Sequence, residues 1–261
     1  MLHANELKDL QLKSAEIVKN VGKYIAENFD LVNNISYKDS RDFFTDIDLE
    51  AENRLKNQLH KLFPQAGFIL EEGKNTIRST YNWTIDPIDQ TKNYATKLPI
   101  FYTQISLIEN MEPVLGHIYQ PLSNQLFSAC KDNGATLNAL KLFCDEKRNI
   151  QNSIVDLDIA SNTSISFRIK LISELIPRVY RLRNTPAFAI YLTTGAIDGF
   201  IGIYKGDKYV DLAPRIIIIK ESGFNTEIFE IGELKFFIAS NKNIFPLLKN
   251  VLEECKEYLV K

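Results

Sequence analysis

The sequence predicts a layered α/β protein, and three observations lead to this fold class. Residues 4–29 repeat apolar side chains at helical spacing. Residues 101–131 contain three strand-like runs separated by short turns, which is typical of an antiparallel meander. Residues 153–204 alternate strand-like and helix-like runs, which is typical of βαβ units. The 261 residues are enough to bury a core in one large domain or in two lobes.

Two helices begin the predicted order of elements. The first covers residues 4–29. The second is expected to begin near Thr45, because Asp48 follows three residues later in the position of a capping box, and to end at Phe63-Pro64. The expected buried stripe of the second helix is Leu49, Leu55, Leu59 and Leu62.

Five strand-like runs follow these helices. The runs "GFILEE" (67–72) and "WTIDPI" (83–88) are short and apolar, and acids lie at their ends. The meander then consists of "FYTQISLIE", "PVLGHIYQP" and "QLFSACK", with turn residues between them.

The second half of the chain alternates element types. We expect strands at "SIVDLDI", "RVYRLR" and "DGFIGIY", helices at 165–176 and 186–196, and a last helix from about Asn243. We place a lobe boundary between residues 1–145, which carry most of the acidic site residues, and 146–261, which carry Asp211.

The run "DLAPRIIIIKESG" (211–223) permits two interpretations. Its four consecutive isoleucines favour a buried strand. Asp211 and Pro214 instead suit the first turn of a helix, and Gly223 suits a helix end. Periodicity does not separate these alternatives.

Composition excludes several classes of protein. A net charge of −2 argues against a dedicated nucleic-acid binder, which needs clustered basic residues. The longest aliphatic run, Ile216 to Ile219, is too short to span a bilayer. Cys130, Cys144 and Cys255 form no paired motif, and the N-terminal residues do not have the pattern of a signal peptide. We therefore expect reduced thiols and a cytoplasmic protein.

Acidic residues recur where apolar runs end. Asp48 lies in the opening turn of a helix, Glu71 ends one strand, Asp86 and Asp89 lie at the end of the next, and Asp211 follows another. In layered α/β folds the strand ends and helix starts meet at one rim, where sites tend to form. These carboxylates are therefore candidates for one site.

Converging carboxylates need compensation. A pair separated by ~4 Å repels by about 4 kcal/mol even at an effective dielectric of ~20. Such groups share protons, pair with basic residues or hold cations. Oxygen ligands without His or Cys select a hard ion, so the sequence favours Mg²⁺, with the carbonyl of Ile88 as one more oxygen. The alternative is a purely structural role, in which Asp48, Glu71 and Asp211 are ordinary helix caps or surface acids.

Four stretches in order carry a family resemblance. The run "WTIDPIDQTKNY" (83–94) resembles the W-x-x-D-P-x-D-G-T-x-N-F signature of the inositol monophosphatase family. "TDID" (45–48), "FILEEG" (68–73) and "YVDLAPRIIIIKESGF" (209–224) resemble three further motifs of that family. The resemblance extends from the first helix to "FFIASN" (236–241).

The resemblance implies a fold, an activity and an assembly. It implies a layered α-β-α-β-α sandwich of the type shared with fructose-1,6-bisphosphatase, in which Asp211 opens a helix. It implies a Mg²⁺-dependent, lithium-sensitive phosphatase, assembled as a homodimer, with two or three ions per site. The expected substrate is a small phosphorylated alcohol, with inositol 1-phosphate as the default.

The resemblance also assigns roles to residues. Glu71, Asp86 and the Ile88 carbonyl would hold one metal, Asp86, Asp89 and Asp211 a second, and Asp48 with Glu71 a third. Thr91 and Asp48 would orient the attacking water. The backbone N–H groups of Gln90 and Thr91 would bind the phosphate. The predicted substrate-binding residues are Asp89, Gln90, Thr91, Pro186, Ala187, Tyr204 and Asp211.

Several residues depart from the family pattern. Gln90 replaces the signature glycine, and "LAPR" (212–215) replaces a run that ends in Ala-Ala-Gly. Pro186 stands where a glycine is expected, Ala187 where a hydroxyl is expected, and Tyr204 where some members carry an acid. The metal ligands thus agree with the family better than the sugar-recognition residues do.

Two further functions are compatible with the sequence besides the sugar phosphatase. The "DQTKNY" run also resembles the branch that removes the 3′-phosphate from adenosine bisphosphates. A third hypothesis is a binding protein with vestigial catalysis, because some bacterial members of the family act as partners of the transcription machinery. That hypothesis includes a contact with RNA polymerase.

Overall fold

The computed structural model describes residues 2–31, 35–37, 43–146, 148–159, 163–184, 189–205 and 209–259. Over these residues it has six α-helices: α1 (Ala4–Glu27), α2 (Asp46–Leu62), α3 (Thr91–Ala95), α4 (Ile165–Leu175), α5 (Tyr209–Glu221) and α6 (Phe245–Cys255). The strands are β1 (Ile35–Tyr37), β2 (Phe43–Thr45), β3 (Gly67–Leu70), β4 (Tyr81–Asp89), β5 (Tyr102–Glu109), β6 (Glu112–Gln120), β7 (Gln125–Cys130), β8 (Ala135–Leu137), β9 (Leu140–Lys141), β10 (Ile154–Ile159), β11 (Arg181–Arg183), β12 (Gly199–Lys205), β13 (Asn225–Ile231) and β14 (Leu234–Ser240).

The chain forms two compact units. The first unit combines Met1–Lys141 with Tyr209–Glu221, and the second combines Leu142–Lys208 with Ser222–Lys261. The boundary predicted from the sequence lies a few residues later and puts Asp211 in the second lobe. In the structure α5, which carries Asp211, belongs to the first unit.

A seven-stranded sheet forms the centre of the first unit. Its strand order follows the sequence from β3 to β9, with β3 and β4 parallel and every later pair antiparallel. The predicted meander is confirmed in β5, β6 and β7. A separate two-stranded ribbon, β1 and β2, precedes α2.

Helices cover both faces of this sheet. On β6, the ring of His117 lies 2.9 Å from the hydroxyl of Ser14 in α1. The preceding residue, Gly116, faces α5, where an added Cβ would lie 2.5 Å from a methyl carbon of Ile217. Because successive residues of a strand point to opposite faces, α1 and α5 lie on opposite sides of the sheet. The glycine permits the close approach of α5.

The first helix and the second helix agree with prediction, with one correction. The apolar face of α1 is buried, and α2 has the predicted capping box at Thr45 and ends at Phe63. Leu49, however, is exposed to 37% and does not belong to the buried stripe. It lies six residues before Leu55, about 240° around the helix, so it points away from the sheet. The buried face of α2 consists of Asp48, Ala51, Glu52, Leu55 and Leu59.

The helix α5 resolves the ambiguous run 211–223. The four isoleucines at 216–219 are all buried, and α5 packs against the seven-stranded sheet at β4, β5, β6, β7 and β8. Burial in this tertiary contact overrides the strand preference that the isoleucine side chains would otherwise express. Pro214 lies inside the helix rather than in its first turn.

A five-stranded sheet forms the centre of the second unit. Its order is β11-β10-β12-β14-β13, with β10 parallel to β11 and to β12, as the predicted βαβ pattern requires. The strands β13 and β14 form an antiparallel pair that the sequence analysis did not assign. Side chains from α4 and α6 join this sheet in one apolar core.

The predicted helix over 186–196 is wrong for the part that the structure describes. Residues 185–188 lie outside the described residues, and Ala189–Leu192 form a single 3₁₀ turn. The hydroxyls of Thr193 and Thr194 donate to carbonyls three residues earlier, at 2.7 and 3.1 Å. Hydroxyls that bond the backbone in this way compete with helix continuation.

No helix in the described ranges is long and apolar enough to cross a membrane.

The buried His117 gives a prediction for the pH dependence of stability. Burial lowers the pKa of His117 to about 3, whereas an exposed histidine has a pKa of about 6.5. Between these values the unfolded state binds more protons, so the free energy of unfolding is highest above about pH 6.5 and falls toward acid. We expect His117 to account for about 2 kcal/mol of the stability lost between ~pH 7 and ~pH 5.

Urea denaturation of the wild type and His117→Gln at both pH values measures this contribution. The matched control is His60→Gln, because His60 is exposed on α2. Equal pH slopes for the wild type and His117→Gln would contradict the prediction.

Candidate active site

Asp48 lies at the start of α2, where the local sequence fixes its side chain. The backbone N–H and the hydroxyl of Thr45 both donate to Asp48 Oδ2, at 2.8 and 2.5 Å. The other oxygen, Oδ1, lies 3.4 Å from the hydroxyl of Thr91. Asp48 is fully buried. Asp48 therefore caps the helix, as expected if its role were structural. It also contacts Thr91, its predicted partner in the site.

A β-bulge places Asp86 and Asp89 on the same side of β4. Residues three apart in a regular strand point to opposite faces. Here Asp86 pairs with Gln104 but Asp89 pairs with Tyr102, so β4 contains one extra residue across this interval. Pro87, which has no N–H to donate, occupies this irregular segment.

The amide of Gln104 joins the two aspartates. Its Nε2 donates to Asp86 Oδ2 at 2.9 Å and to Asp89 Oδ2 at 3.0 Å. All three side chains are buried. Gln104 lies on β5 directly opposite Asp86, and the sequence analysis did not identify it as a site residue. Only the pairing of β4 with β5 reveals its position.

Glu71 reaches the same place from the neighbouring strand. Its backbone N–H donates to the carbonyl of Ile85 at 3.2 Å, which continues the parallel pairing of β3 with β4. The Glu71 side chain therefore lies beside Asp86. The loop that follows is held by Glu52 of α2, whose carboxylate accepts the backbone N–H of Glu72 at 2.9 Å.

Four carboxylates act on one another in this cluster. Burial raises the pKa of Asp86 well above its usual range, and the charges of Glu71, Asp89 and Asp211 raise it further. A hydrogen bond between Asp86 and Glu71 acts in the same direction. Like charges in a buried site disfavour ionisation unless a cation is present. The structure thus brings together four of the five acids that the sequence analysis selected.

The cluster contains oxygen atoms suited to a hard cation. Within the described part of the chain, Asp86 Oδ1 and Gln104 Oε1 are buried and have no hydrogen-bond partner. Buried acceptors without partners are uncommon in folded proteins. An all-oxygen donor set that includes Asp86 and Glu71 fits a divalent ion such as Mg²⁺.

Arg215 occupies the opposite side of the cluster. Its Nη2 lies 2.5 Å from Asp89 Oδ2, and both residues are buried. The "LAPR" departure is visible in the sequence, but no sequence pattern predicts that Arg215 belongs to the site. Over the residues that the structure describes, no three Asp, Glu, His or Cys side chains are arranged so that they could already hold a metal ion. Because Arg215 and Gln104 both engage Asp89 Oδ2, the donors fit an ion on the Glu71 and Asp86 side better than on the Asp89 side.

Gln90 and Thr91 lie at the start of the short helix α3. Gln90 has φ 70° and ψ 47°, the left-handed conformation that glycine adopts most readily. The hydroxyl of Thr91 lies 2.9 Å from the carbonyl of Ile88, so Thr91 contacts two of the predicted site residues.

The remaining predicted substrate residues belong to the second unit. Tyr204 lies on β12, where it pairs with Lys235 of β14 and is partly buried. Pro186 and Ala187 lie outside the described residues.

A comparison with family models identifies the chain. The model described as "Inositol monophosphatase family" matches residues 7–254. The chain belongs to the inositol monophosphatase family. This membership confirms the resemblance and the mixed α+β fold with two large sheets.

Relatives within the inositol monophosphatase family carry two kinds of name. A "Fructose-1,6-bisphosphatase/inositol-1-monophosphatase" from Aquifex aeolicus is 29% identical over 92% of this chain and 93% of that protein. A "Nus factor SuhB" from Haemophilus influenzae is 27% identical over 96% of this chain and 97% of that protein. Among solved structures, an IMPase from Thermotoga maritima matches with a TM-score of 0.83 and 28% identity, covering 94% of this chain and 97% of that one.

The conformation of Gln90 gives a prediction for stability. The family signature has glycine at this position, and a left-handed backbone costs a non-glycine residue about 1–2 kcal/mol. We expect Gln90→Gly to raise the free energy of unfolding by about 1 kcal/mol, after the greater freedom of glycine in the unfolded chain is subtracted.

Thermal or urea denaturation measures this difference. Gln90→Ala is the control, because it removes the same side-chain atoms beyond Cβ and keeps the strained backbone. Equal stability of the Gly and Ala variants would contradict the prediction, because the strain at position 90 would then only match the cost of the greater freedom of glycine in the unfolded chain.

Proposed function

We propose that this protein is a Mg²⁺-dependent phosphomonoesterase that hydrolyses a small phosphorylated alcohol, with inositol 1-phosphate as the first substrate to test. The observation that carries the proposal is the cluster of the buried Asp86 and Asp89 with the partly buried Glu71 and Asp211. Family membership supports the reaction class. The free thiols Cys130, Cys144 and Cys255 agree with our proposal of a cytoplasmic location.

Each residue of the site has its own role in the proposed reaction. Glu71, Asp86 and the Ile88 carbonyl would hold Mg²⁺, and Asp89 and Asp211 complete the acidic surroundings. When bound, Mg²⁺ supplies Lewis acidity toward a phosphoryl oxygen and makes a coordinated water more acidic. Asp48 and Thr91, whose oxygens lie 3.4 Å apart, orient the attacking water, and Asp48 Oδ1 accepts its proton.

The substrate-binding roles are part of the same proposal. The backbone N–H groups of Gln90 and Thr91 bind the phosphate. Tyr204, Pro186 and Ala187 select the alcohol. Because these three differ from the family pattern, we expect the preferred alcohol to differ from inositol.

Asp86→Asn tests the reaction. We expect phosphate release to fall by at least about a hundredfold, because the variant removes a ligand charge from the centre of the cluster. The measurement is phosphate release from a panel of sugar phosphates and an adenosine 3′,5′-bisphosphate, with Mg²⁺ and with a chelator. Asp9→Asn, which changes an exposed acid on α1, is the matched control.

Turnover that persists in the chelator would refute the metal mechanism. Preference for the bisphosphate would support the nucleotidase alternative over the sugar phosphatase.

A second candidate function is supported by the relatives named Nus factor SuhB. In that role the chain would bind the transcription machinery, with weakened catalysis. The ion pair between Arg215 and Asp89 agrees with weakened catalysis, since it engages a predicted metal ligand. Retention of RNA polymerase on the immobilised protein, with no phosphatase activity toward the panel, would favour this role.

We propose further that the protein assembles as a homodimer through α4. This helix exposes an apolar stripe that consists of Ile165, Ile169, Ile172 and Ile176, and the nearby Tyr180 is exposed to 67%. Contiguous apolar surface of this kind is typical of protein interfaces. The stripe lines an apolar groove of about 880 Å³ beside the edge strand β11.

Ile169→Glu tests the assembly. We expect this variant to be a monomer, because a buried charge at the interface has no partner. Asn225→Glu, which adds the same charge on an exposed position of β13 at the opposite edge of the five-stranded sheet, should leave the dimer intact. Sedimentation velocity distinguishes the two states, and a dimeric Ile169→Glu would place the interface elsewhere.

A further inference from the structure

Arg215 is a charged residue in a place that apolar packing would otherwise fill. It lies on α5, directly before the four buried isoleucines, and only 4% of its surface is exposed. A guanidinium is always ionised in proteins, so its burial requires a compensating anion. The carboxylate of Asp89 supplies that anion at 2.5 Å.

The same oxygen of Asp89 is already saturated. Asp89 Oδ2 accepts from Arg215 Nη2 and from Gln104 Nε2 at 3.0 Å. A carboxylate oxygen has two lone pairs, and both are engaged by these donors. In this arrangement Asp89 Oδ2 has no lone pair left for a metal ion.

The other side of the cluster is different. Asp86 Oδ1 is buried and has no hydrogen-bond partner among the described residues. The donors near Asp86 therefore remain suited to a cation, whereas Asp89 has a fixed one. The cluster divides into a side that fits an exchangeable ion and a side that contains a guanidinium.

We propose that Arg215 is a built-in cation that takes the place of one divalent ion, so that each chain binds a single Mg²⁺. This inference rests on the proposed metal dependence and changes the expected number of ions from two or three to one. It also makes Arg215 a positioning residue, because its guanidinium holds Asp89 through the ion pair and Gln104 holds Asp89 and Asp86 together.

Counting bound Mn²⁺ as a probe tests this inference directly. Electron paramagnetic resonance titration gives the number of ions per chain without reference to catalysis. We expect one ion for the wild type, two for Arg215→Met, which keeps an unbranched apolar side chain and removes the charge, and one for Arg215→Lys, which keeps the charge. Arg215→Gln, which retains a hydrogen-bond donor without charge, is the second neutral variant if Arg215→Met does not fold.

The outcomes separate this inference from the proposed function. Two ions in the wild type, or one ion in both the wild type and the folded neutral variant, would overturn the role of Arg215 and leave metal dependence intact. No bound ion in the wild type would overturn the metal-dependent function itself, and the role of Arg215 with it.

Discussion

Repulsion between buried carboxylates constrains the structure around the end of β4. Asp86 is buried beside three other acids, and its raised pKa is the direct consequence. Such a cluster lowers stability unless something offsets its charge. In this protein the offset comes from the amide of Gln104 and the guanidinium of Arg215, and within the described part of the chain it leaves one oxygen of Asp86 without a hydrogen-bond partner.

The position of α5 follows from a packing requirement rather than from its charged residues. Its isoleucines are buried against the seven-stranded sheet, and Gly116 permits the contact with Ile217. This apolar contact carries Asp211 and Arg215 to the cluster, since they lie four residues apart on the same face of the helix. Replacement of an apolar residue on α5 would therefore change the positions of Asp211 and Arg215 at the acidic site.

The β-bulge of β4 connects backbone geometry with chemistry. Two acids three residues apart would diverge in a regular strand, and the extra residue turns both toward Gln104. The proline between the acids suits this irregular segment because it needs no hydrogen bond from its nitrogen. The strained backbone of Gln90 lies immediately after the bulge, so non-standard conformations are concentrated at the candidate site.

The sequence by itself determined the local elements, the meander, and the membership of Asp48, Glu71, Asp86, Asp89 and Asp211 in one set of acids. These features depend on short-range patterns: helical spacing, turn residues, a capping box and an ordered series of motifs. The helices predicted from helical spacing, the meander predicted from turn residues and the predicted capping box are present in the structure. Glu71, Asp89 and Asp211 act on Asp86 as a group. The prediction for Leu49 is wrong because this residue lies about 240° around α2 from Leu55. The helix expected over 186–196 is wrong in its described part, where the hydroxyls of Thr193 and Thr194 bond the backbone.

The family resemblance already implied the helix at Asp211, which is confirmed, and only the tertiary structure decided that α5 belongs to the first unit and that Gln104 and Arg215 belong to the site. Gln104 lies fifteen residues after Asp89, and its contact depends on strand register, which no local pattern encodes. Arg215 lies more than a hundred residues away, within an apolar run that gives no sign of a charged partner. Long-range pairing of this kind is fixed by which faces become buried together, and that is a property of the folded chain as a whole.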